Sequence, residues 1–223
     1  MSINENICML RKNFGYSQDD VAYKLGMTRQ TYSKFENGTG ELTTSQIQLL
    51  ADFFGVQISE LYYQPQNTEK FKQMIIYILS KFKKHGVTKT KLAKLLYLSD
   101  FSYYYTHFKS MSNVFYKCKD YGPLAEPFLE SIDDMFEDGE IRIDCLTEGA
   151  QMLSLSPSVS SNSINLLSDD EMKQIDKICN KWNDANSQEL VNFTHKQKPW
   201  MACRQNEIIP YDLILQEDPE NVY

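Results

Sequence analysis

The apolar residues of roughly the first sixty positions recur at helical spacing, so that each segment has one face to bury. Ser17 and Thr28 stand where helix N-caps are expected, and Gly26 stands where a helix ends. The pattern predicts five short helices, the fourth from Thr44 to Phe54. Residues 1–64 are therefore expected to form a small helical domain.

The second part of the chain also favours helices. After a polar linker at Tyr63–Asn67, an amphipathic helix is expected from Thr68, and a second one, capped by Thr88, runs into a tyrosine-rich stretch. A third apolar helix is predicted from Leu124 to Phe136, with Pro123 suited to a helix's first position.

One stretch of this part alternates between apolar and polar residues. Glu140–Leu146 reads as a strand that pairs with Gln151–Leu155 in a hairpin, and the serine-rich residues 156–163 read as an exposed loop. Helices beginning at Ser168 and Ser187 follow. The chain is expected to be mainly α, with a second domain at 68–215 and a frayed acidic tail at 216–223.

The segment from Arg29 to Glu36 carries the strongest functional signal. At about 100° per residue, Tyr32 and Phe35 point into the domain and polar side chains fan across the opposite arc. Arginine can pair with guanine and glutamine with adenine in a DNA major groove. The turn at Gln18, ahead of this helix, can present donors to a phosphate.

The order S-Q-x-x-x-A-x-x-L-G followed by E-N-G over residues 17–38 resembles the Cro/C1 (XRE-like) helix-turn-helix repressors of phages and bacteria. The resemblance covers roughly residues 3–62. It implies that Gln18 contacts phosphate and that the reading face consists of Thr28, Arg29, Gln30, Ser33 and Lys34. A solvated helix face, with the domain serving dimerisation or docking instead, is the alternative.

Four motifs follow in order in the second part: K-L-x-K-L-L-Y at 91–97, Y-G-P at 121–123, T-H at 194–195 and P-W-x-x-x-R at 199–204. Together they resemble the Panacea domain (SocA-like, phage GepA-like) over about residues 70–215. The resemblance implies an antitoxin, which binds and silences a toxin protein encoded beside it. The motif residues read as structural: Tyr121, Gly122, Pro123, His195, Trp200 and Arg204.

Physical reasoning supports the structural role. Tyr121–Gly122–Pro123 suits a fixed corner, Trp200 suits a core plug, and Arg204 stands one turn later, where it can reach a carboxylate. Contacts to a toxin are expected instead from three tyrosines that are predicted to be exposed, because tyrosine is favoured at interfaces. These are Tyr103, Tyr104 and Tyr105.

Charge is unevenly distributed. The chain carries a net charge of −7, and residues 1–65 hold five Lys or Arg against seven Asp or Glu, so DNA binding would have to be specific and sensitive to salt. Residues 70–94 carry eight lysines and no acid, whereas residues 120–148 carry ten acids and one arginine. These segments are interpreted either as solvated helix faces or as charged surfaces whose electric field steers a charged partner toward the protein.

No catalytic constellation, cofactor motif or metal-ligand spacing is found around the three histidines and five cysteines. The cysteines are scattered and odd in number, which favours reduced thiols in a cytoplasmic protein. The sequence shows no signal peptide and no apolar run of membrane-spanning length.

The leading hypothesis is a non-enzymatic antitoxin that neutralises its toxin through the second domain. Its first domain, as a homodimer on operator DNA, would repress the shared operon. A stand-alone prophage-type regulator whose second domain senses a ligand or a protein is the main alternative. An adaptor that delivers a partner to a protease is another.

Overall fold

The structure, a computed structural model, describes four stretches of the chain: residues 3–62, 66–146, 149–159 and 164–223. Two compact units are formed, Met1–Pro65 and Gln66–Tyr223. Of the predicted linker, residues 63–65 lie outside the described ranges. Asn67, at its other end, caps the first helix of the second unit: its side chain accepts a hydrogen bond from the Lys70 backbone at 2.9 Å.

Between residues 3 and 62, which are described, the first unit contains five helices, as expected from the spacing of its apolar residues: α1 (Ile3–Asn13), α2 (Gln18–Lys24), α3 (Arg29–Glu36), α4 (Thr44–Phe54) and α5 (Ile58–Tyr62). Ser17 and Thr28 accept N-cap hydrogen bonds from α2 and α3. Gly55 ends α4 in the left-handed conformation. Residues from all five helices form one core, including Ile7, Val21, Tyr32, Phe35, Leu50 and Leu61.

Over its described residues, the second unit contains six α-helices and five short strands: α6 (Thr68–Lys81), β1 (Val87–Thr88), α7 (Lys89–His107), β2 (Tyr116–Lys117), β3 (Leu124–Ala125), α8 (Phe128–Glu137), β4 (Ile141–Cys145), β5 (Gln151–Leu155), α9 (Asp169–Lys181), α10 (Ser187–Thr194) and α11 (Lys198–Met201). The 3-10 helices Tyr211–Gln216 and Pro219–Asn221 follow α11. The described residues of the molecule are thus mainly helical.

Helix α7 lies at the centre of the second unit. Every residue from Lys91 to Tyr103 is buried, and α7 packs against α6, α9, α10 and the first 3-10 helix. Because neighbours cover α7 on all sides, its polar residues cannot lie on a solvent face. They have to find hydrogen-bond partners inside the protein.

The strands form two antiparallel sheets. β4 and β5 form the predicted hairpin, with Ile141 opposite Leu155 and Ile143 opposite Leu153. β1 pairs with the other edge of β5, giving the order β1-β5-β4. The remaining pair is β2 with β3. Of the predicted exposed loop at 156–163, residues 160–163 lie outside the described ranges.

The prediction of a helix from Leu124 is wrong at its start. Leu124–Ala125 forms β3 against Tyr116–Lys117, and α8 begins only at Phe128, after Pro127. Pro123 therefore precedes a strand rather than occupying a helix's first position. The competing strand lies before the turn at 119–122, so helical periodicity alone could not reveal it.

The expectation of a frayed acidic end is also wrong. Val222 is fully buried, and the Asn221 carbonyl accepts a hydrogen bond from Gln197 at 2.6 Å. Lys177 lies over the Tyr223 ring, 3.5 Å from its centroid. The terminal residues pack against the second unit because they carry one apolar side chain and one aromatic ring among the acids.

Candidate functional site

The outer face of α3 presents the side chains predicted to read DNA. Thr28 Oγ1 accepts a hydrogen bond from the Thr31 backbone at 3.2 Å and starts the helix. Tyr32 and Phe35 are buried on the opposite side. The predicted reading residues are therefore free to face a ligand, Ser33 half-buried and the others exposed: Thr28, Arg29, Gln30 and Lys34.

Glu36 holds this helix in place at its other end. Its carboxylate accepts hydrogen bonds from Arg11 at 2.6 and 3.0 Å and from Gln18 at 2.8 Å. Desolvation opposes ionisation of Glu36, but these bonds outweigh it and lower the pKa of the carboxyl. Glu36 thus joins α1, α2 and α3, a role that its position beside the Asn37–Gly38 turn did not reveal.

Gln18 therefore has a partner within the domain. Its side-chain nitrogen is bound to Glu36, so the amide is held in a fixed position at the start of α2. Its predicted contact with a DNA phosphate stays a prediction, as do the base contacts. Arg29 is engaged more loosely: its Nε lies 3.6 Å from Asp19, and both side chains are mostly exposed. Such a pair contributes little and can yield to a base or phosphate.

In the second unit, the motifs recognised in the sequence converge on the side chain of Lys94. This lysine is 2% exposed, and its Nζ donates a hydrogen bond to the Pro123 carbonyl at 2.7 Å. Burial lowers the pKa of Lys94 to about 7. A lysine from the first motif thus fixes the backbone of the second motif.

Gly122 is required for this approach. It has φ +90°, and a Cβ there would lie 2.9 Å from Thr194 Oγ1 and 3.1 Å from Lys94 Nζ. The third motif, Thr194–His195, therefore packs directly against the Y-G-P turn. A side chain at position 122 would be both strained and crowded.

The fourth motif closes the cluster through an aromatic stack. The rings of His195 and Trp200 are 4.0 Å apart and inclined by 12°. Trp200 Nε1 donates to the Lys119 carbonyl at 3.4 Å, next to the Y-G-P turn. Burial, followed by the charge of Lys94, lowers the pKa of His195. The surroundings of the ring therefore favour its neutral form.

Two further α7 residues act as internal ties. Lys91 donates to the carbonyls of Asn183 and Ala185 at 2.8 and 2.7 Å, which fixes the segment between α9 and α10. Asp100, fully buried, accepts from the Met111 backbone and the Ser112 hydroxyl, both at 2.7 Å.

Asp100 also reaches the C-terminal part of the unit. The hydroxyl of Tyr211 donates to it at 2.9 Å. Burial raises the pKa of Asp100 despite the hydrogen bonds from Ser112, Met111 and Tyr211 that favour its ionised form. The motif region of α7 is accordingly a scaffold of buried polar ties rather than an exposed binding surface.

The structure corrects several sequence predictions here. Tyr103 is only 3% exposed and stacks on His107 with ring centroids 4.0 Å apart, so the prediction of an exposed tyrosine there is wrong. Tyr104 and Tyr105 are half-buried, packed against the core. The reason is that neighbouring elements cover α7 almost to its C-terminal end.

The remaining motif residues are also placed differently. Tyr121 is 74% exposed, although its neighbours Gly122 and Pro123 are buried. Trp200 is half-buried rather than a core plug. Arg204 is exposed, and its backbone N–H, not its guanidinium, donates to Glu207. Tyr121 and Arg204 are thus the exposed members of this set of six motif residues.

In the described ranges, no group of three or more His, Cys, Asp or Glu residues could hold a metal ion. All five cysteines are free thiols. None of the helices that the structure describes is long and apolar enough to cross a membrane.

Comparison with protein families agrees with the geometry. Residues 9–61 match the family described as "Helix-turn-helix", and residues 92–201 match "Antitoxin SocA-like, Panacea domain". Searches of curated proteins and of solved structures found no match to the chain. The second matched segment includes Lys94, Asp100, the Y-G-P turn and the His195–Trp200 stack. The chain therefore combines a Cro/C1-type helix-turn-helix domain with a SocA-like Panacea domain.

Proposed function

We propose that this protein is an antitoxin that represses its own operon. Its Panacea domain neutralises a toxin, encoded by a neighbouring gene, by binding it directly. Its helix-turn-helix domain binds the operator of the shared operon. The observation that carries the proposal is the presence in one chain of a Panacea domain and a helix with an exposed polar face.

Repression requires recognition of a particular sequence. The exposed arc of α3, with Arg29 and Gln30 at its start, offers the side chains that pair with guanine and adenine. The domain carries no excess of positive charge, so phosphate attraction alone gives it little affinity. We propose that two copies bind a palindromic operator, because a dimer that binds two half-sites at once recognises DNA more tightly and more specifically than one domain alone.

Neutralisation by binding is favoured over catalysis. The polar groups gathered around Lys94 and Asp100 are buried and engaged in hydrogen bonds that hold backbone segments together. They serve the fold, which leaves the surface of the second unit for a partner. We propose that the chain works stoichiometrically in the cytoplasm and without turnover.

Growth of cells expressing the neighbouring gene tests the proposal. The full-length chain should restore growth, and a chain carrying Arg29→Ala and Gln30→Ala should restore it equally while failing to repress an operon–reporter fusion. Gln48→Ala, an exposed change on α4, is the matched control and should keep both activities.

Other outcomes overturn parts of the proposal. A neighbouring gene that is harmless would favour a stand-alone regulator. Restored growth that vanishes in the presence of protease inhibitors or in a protease-deficient strain would favour an adaptor. Light scattering of the protein with and without operator DNA measures whether it binds as a dimer.

A further inference from the structure

Helix α8 has an unusual outer surface. Its inner side is buried through Phe128, Ile132 and Met135, which explains how it packs. Leu129 and Phe136, however, are each 51% exposed. They are seven residues apart, so both project from one side of the helix, about 10 Å apart along its axis.

Acidic residues border these two apolar side chains. Glu130, Asp133 and Glu137 are all exposed. By helical geometry they occupy the arc next to Leu129 and Phe136, on the side away from the core. These five residues are called the α8 edge below. In the part of the chain that the structure describes, none of the three acids takes part in an ion pair.

Two acids of α8, Asp133 and Glu137, are placed where they weaken the helix itself, whereas Glu130 lies in the first turn, where the helix dipole favours negative charge. Asp133 and Glu137 are four residues apart, as are Glu130 and Asp134, and like charges at this spacing repel. Glu137 lies in the last turn, which contains no basic residue and where the helix dipole disfavours negative charge. Asp134 is compensated by Lys72 at 2.9 Å. A helix evolved only for stability would not keep Asp133 and Glu137.

We infer that the α8 edge is the surface on which the toxin docks, through an apolar pocket bordered by lysine or arginine residues. The inference rests on the proposed function. Protein interfaces typically have large apolar anchor residues surrounded by a polar rim, and the α8 edge has this composition. The negative rim then selects a positive partner and speeds the encounter.

Charge also excludes the other occupants. DNA and anionic lipid surfaces are repelled by three uncompensated carboxylates. Two copies of this chain meeting through the same edge would bring acids against acids. A basic protein surface, by contrast, is attracted by these carboxylates and offsets the repulsion among them when it binds.

The decisive experiment measures binding of the full-length chain to the neighbouring gene product. In one variant, Glu130, Asp133 and Glu137 are changed to Lys. In a matched control with the same change of net charge, Asp212, Asp218 and Glu220 are changed to Lys; these exposed residues lie in the C-terminal 3-10 turns, and the 3-10 helix that contains Asp212 contacts α7 and α11.

The α8 reversal should weaken the complex by about 100-fold or more and abolish growth rescue, whereas the control should bind as the wild type does. Wild-type affinity should fall as salt is raised, and the residual affinity of the variant should not. Phe136→Ala should weaken binding by about 30-fold, as expected for an anchor.

A second variant guards against misfolding. Glu130→Gln, Asp133→Asn and Glu137→Gln together remove the repulsion within α8, so this chain should melt at or above the wild-type temperature and yet bind the toxin less tightly. Higher stability with weaker binding is a combination that a purely structural role of these acids does not produce.

The results separate the two hypotheses. If the wild-type chain neither binds nor neutralises the neighbouring gene product, the proposed function fails. If the wild type neutralises it and the α8 variants do so equally well, the function stands and the docking surface lies elsewhere. A change in oligomeric mass with unchanged toxin affinity would also overturn the inference, because it would assign the α8 edge to a second copy of this chain.

Discussion

The side-chain nitrogen of Lys94 lies 2.7 Å from the carbonyl oxygen of Pro123, inside a region from which solvent is almost excluded. This contact joins the centre of α7 to a turn almost thirty residues later in the chain. Gly122, next to the acceptor, leaves just enough room for the lysine and for Thr194. The first two motifs of the Panacea domain are thus joined through one buried amine.

Gly122→Ala is expected to destabilise the protein by about 2–4 kcal/mol, because the new methyl group meets Thr194 and Lys94 and the backbone has φ +90°. Urea unfolding monitored by tryptophan fluorescence measures the loss. Gly139→Ala is the matched control. Gly139 also has a positive φ, but nothing lies within 4 Å of its added Cβ, so its loss should be about 1 kcal/mol. Equal losses would show that crowding around Lys94 is unimportant.

Lys94 should make stability rise with pH. Burial lowers its pKa to about 7 in the folded protein, against 10.5 for an ordinary lysine exposed to water. Between these values the unfolded chain holds a proton that the folded chain has released, so raising the pH favours the folded state. The free energy of unfolding should therefore increase above pH 7 by at most about 1.4 kcal/mol per pH unit from this group.

Comparison with Lys94→Met measures this contribution together with the effect of the Lys94 charge on the pKa of His195, since the remaining titrating groups are the same in both proteins. The free energy of unfolding is obtained from urea unfolding at pH 6, 7, 8 and 8.5 and plotted against pH for both proteins. Above pH 7, the free energy of unfolding of the wild type should rise relative to that of the variant. Below pH 7 the difference should be constant. Parallel curves throughout the range would contradict the buried, neutral state of Lys94 at alkaline pH.

Asp100→Asn is expected to lower stability by about 2–3 kcal/mol. The carboxylate of Asp100 accepts hydrogen bonds from the Met111 backbone and from the hydroxyls of Ser112 and Tyr211. In asparagine one carboxylate oxygen is replaced by an NH2 group, which would face one of these donors and leave it without an acceptor. Thermal unfolding checks the loss. The same change at Asp170, which makes a surface ion pair with Lys173, should have no measurable effect.

Gln30→Ala or Arg29→Ala should weaken operator binding by about 1–3 kcal/mol each, corresponding to roughly 5- to 150-fold in affinity. Binding to unrelated DNA should change less, because it depends on phosphates. Fluorescence anisotropy at fixed salt measures both. Neither variant should alter the melting temperature, since both side chains are exposed. An unchanged footprint on the operator would remove the assignment of the reading face.

The helix-turn-helix unit shows why local sequence was informative. The N-caps at Ser17 and Thr28, the extent of α4 and the burial of Tyr32 and Phe35 all follow from residues within one or two helical turns. Glu36 was missed as the joint between three helices, because its partners Arg11 and Gln18 come from other elements. The signal for it would have been a pair of opposite charges on α1 and α3, which spacing alone does not single out.

The second unit shows the opposite case. Periodicity identified α6, α7 and the β4–β5 hairpin. It placed a helix over Leu124–Ala125, where pairing with Tyr116–Lys117 forms β3. It also treated Tyr103 as exposed, although α7 is covered on all sides. A central helix is buried because neighbouring elements pack around it. The mixture of lysines, tyrosines and leucines in its own sequence does not predict this burial.

The sequence by itself determined the two domains, the caps of α3 and the polar face of that helix, because each depends on interactions a few residues apart. Only the tertiary structure decided that Lys94, Gly122, His195 and Trp200 form one cluster and that the α8 edge stays exposed. These features depend on contacts between residues tens of positions apart, whose free energies exist only after the chain has closed the intervening loops.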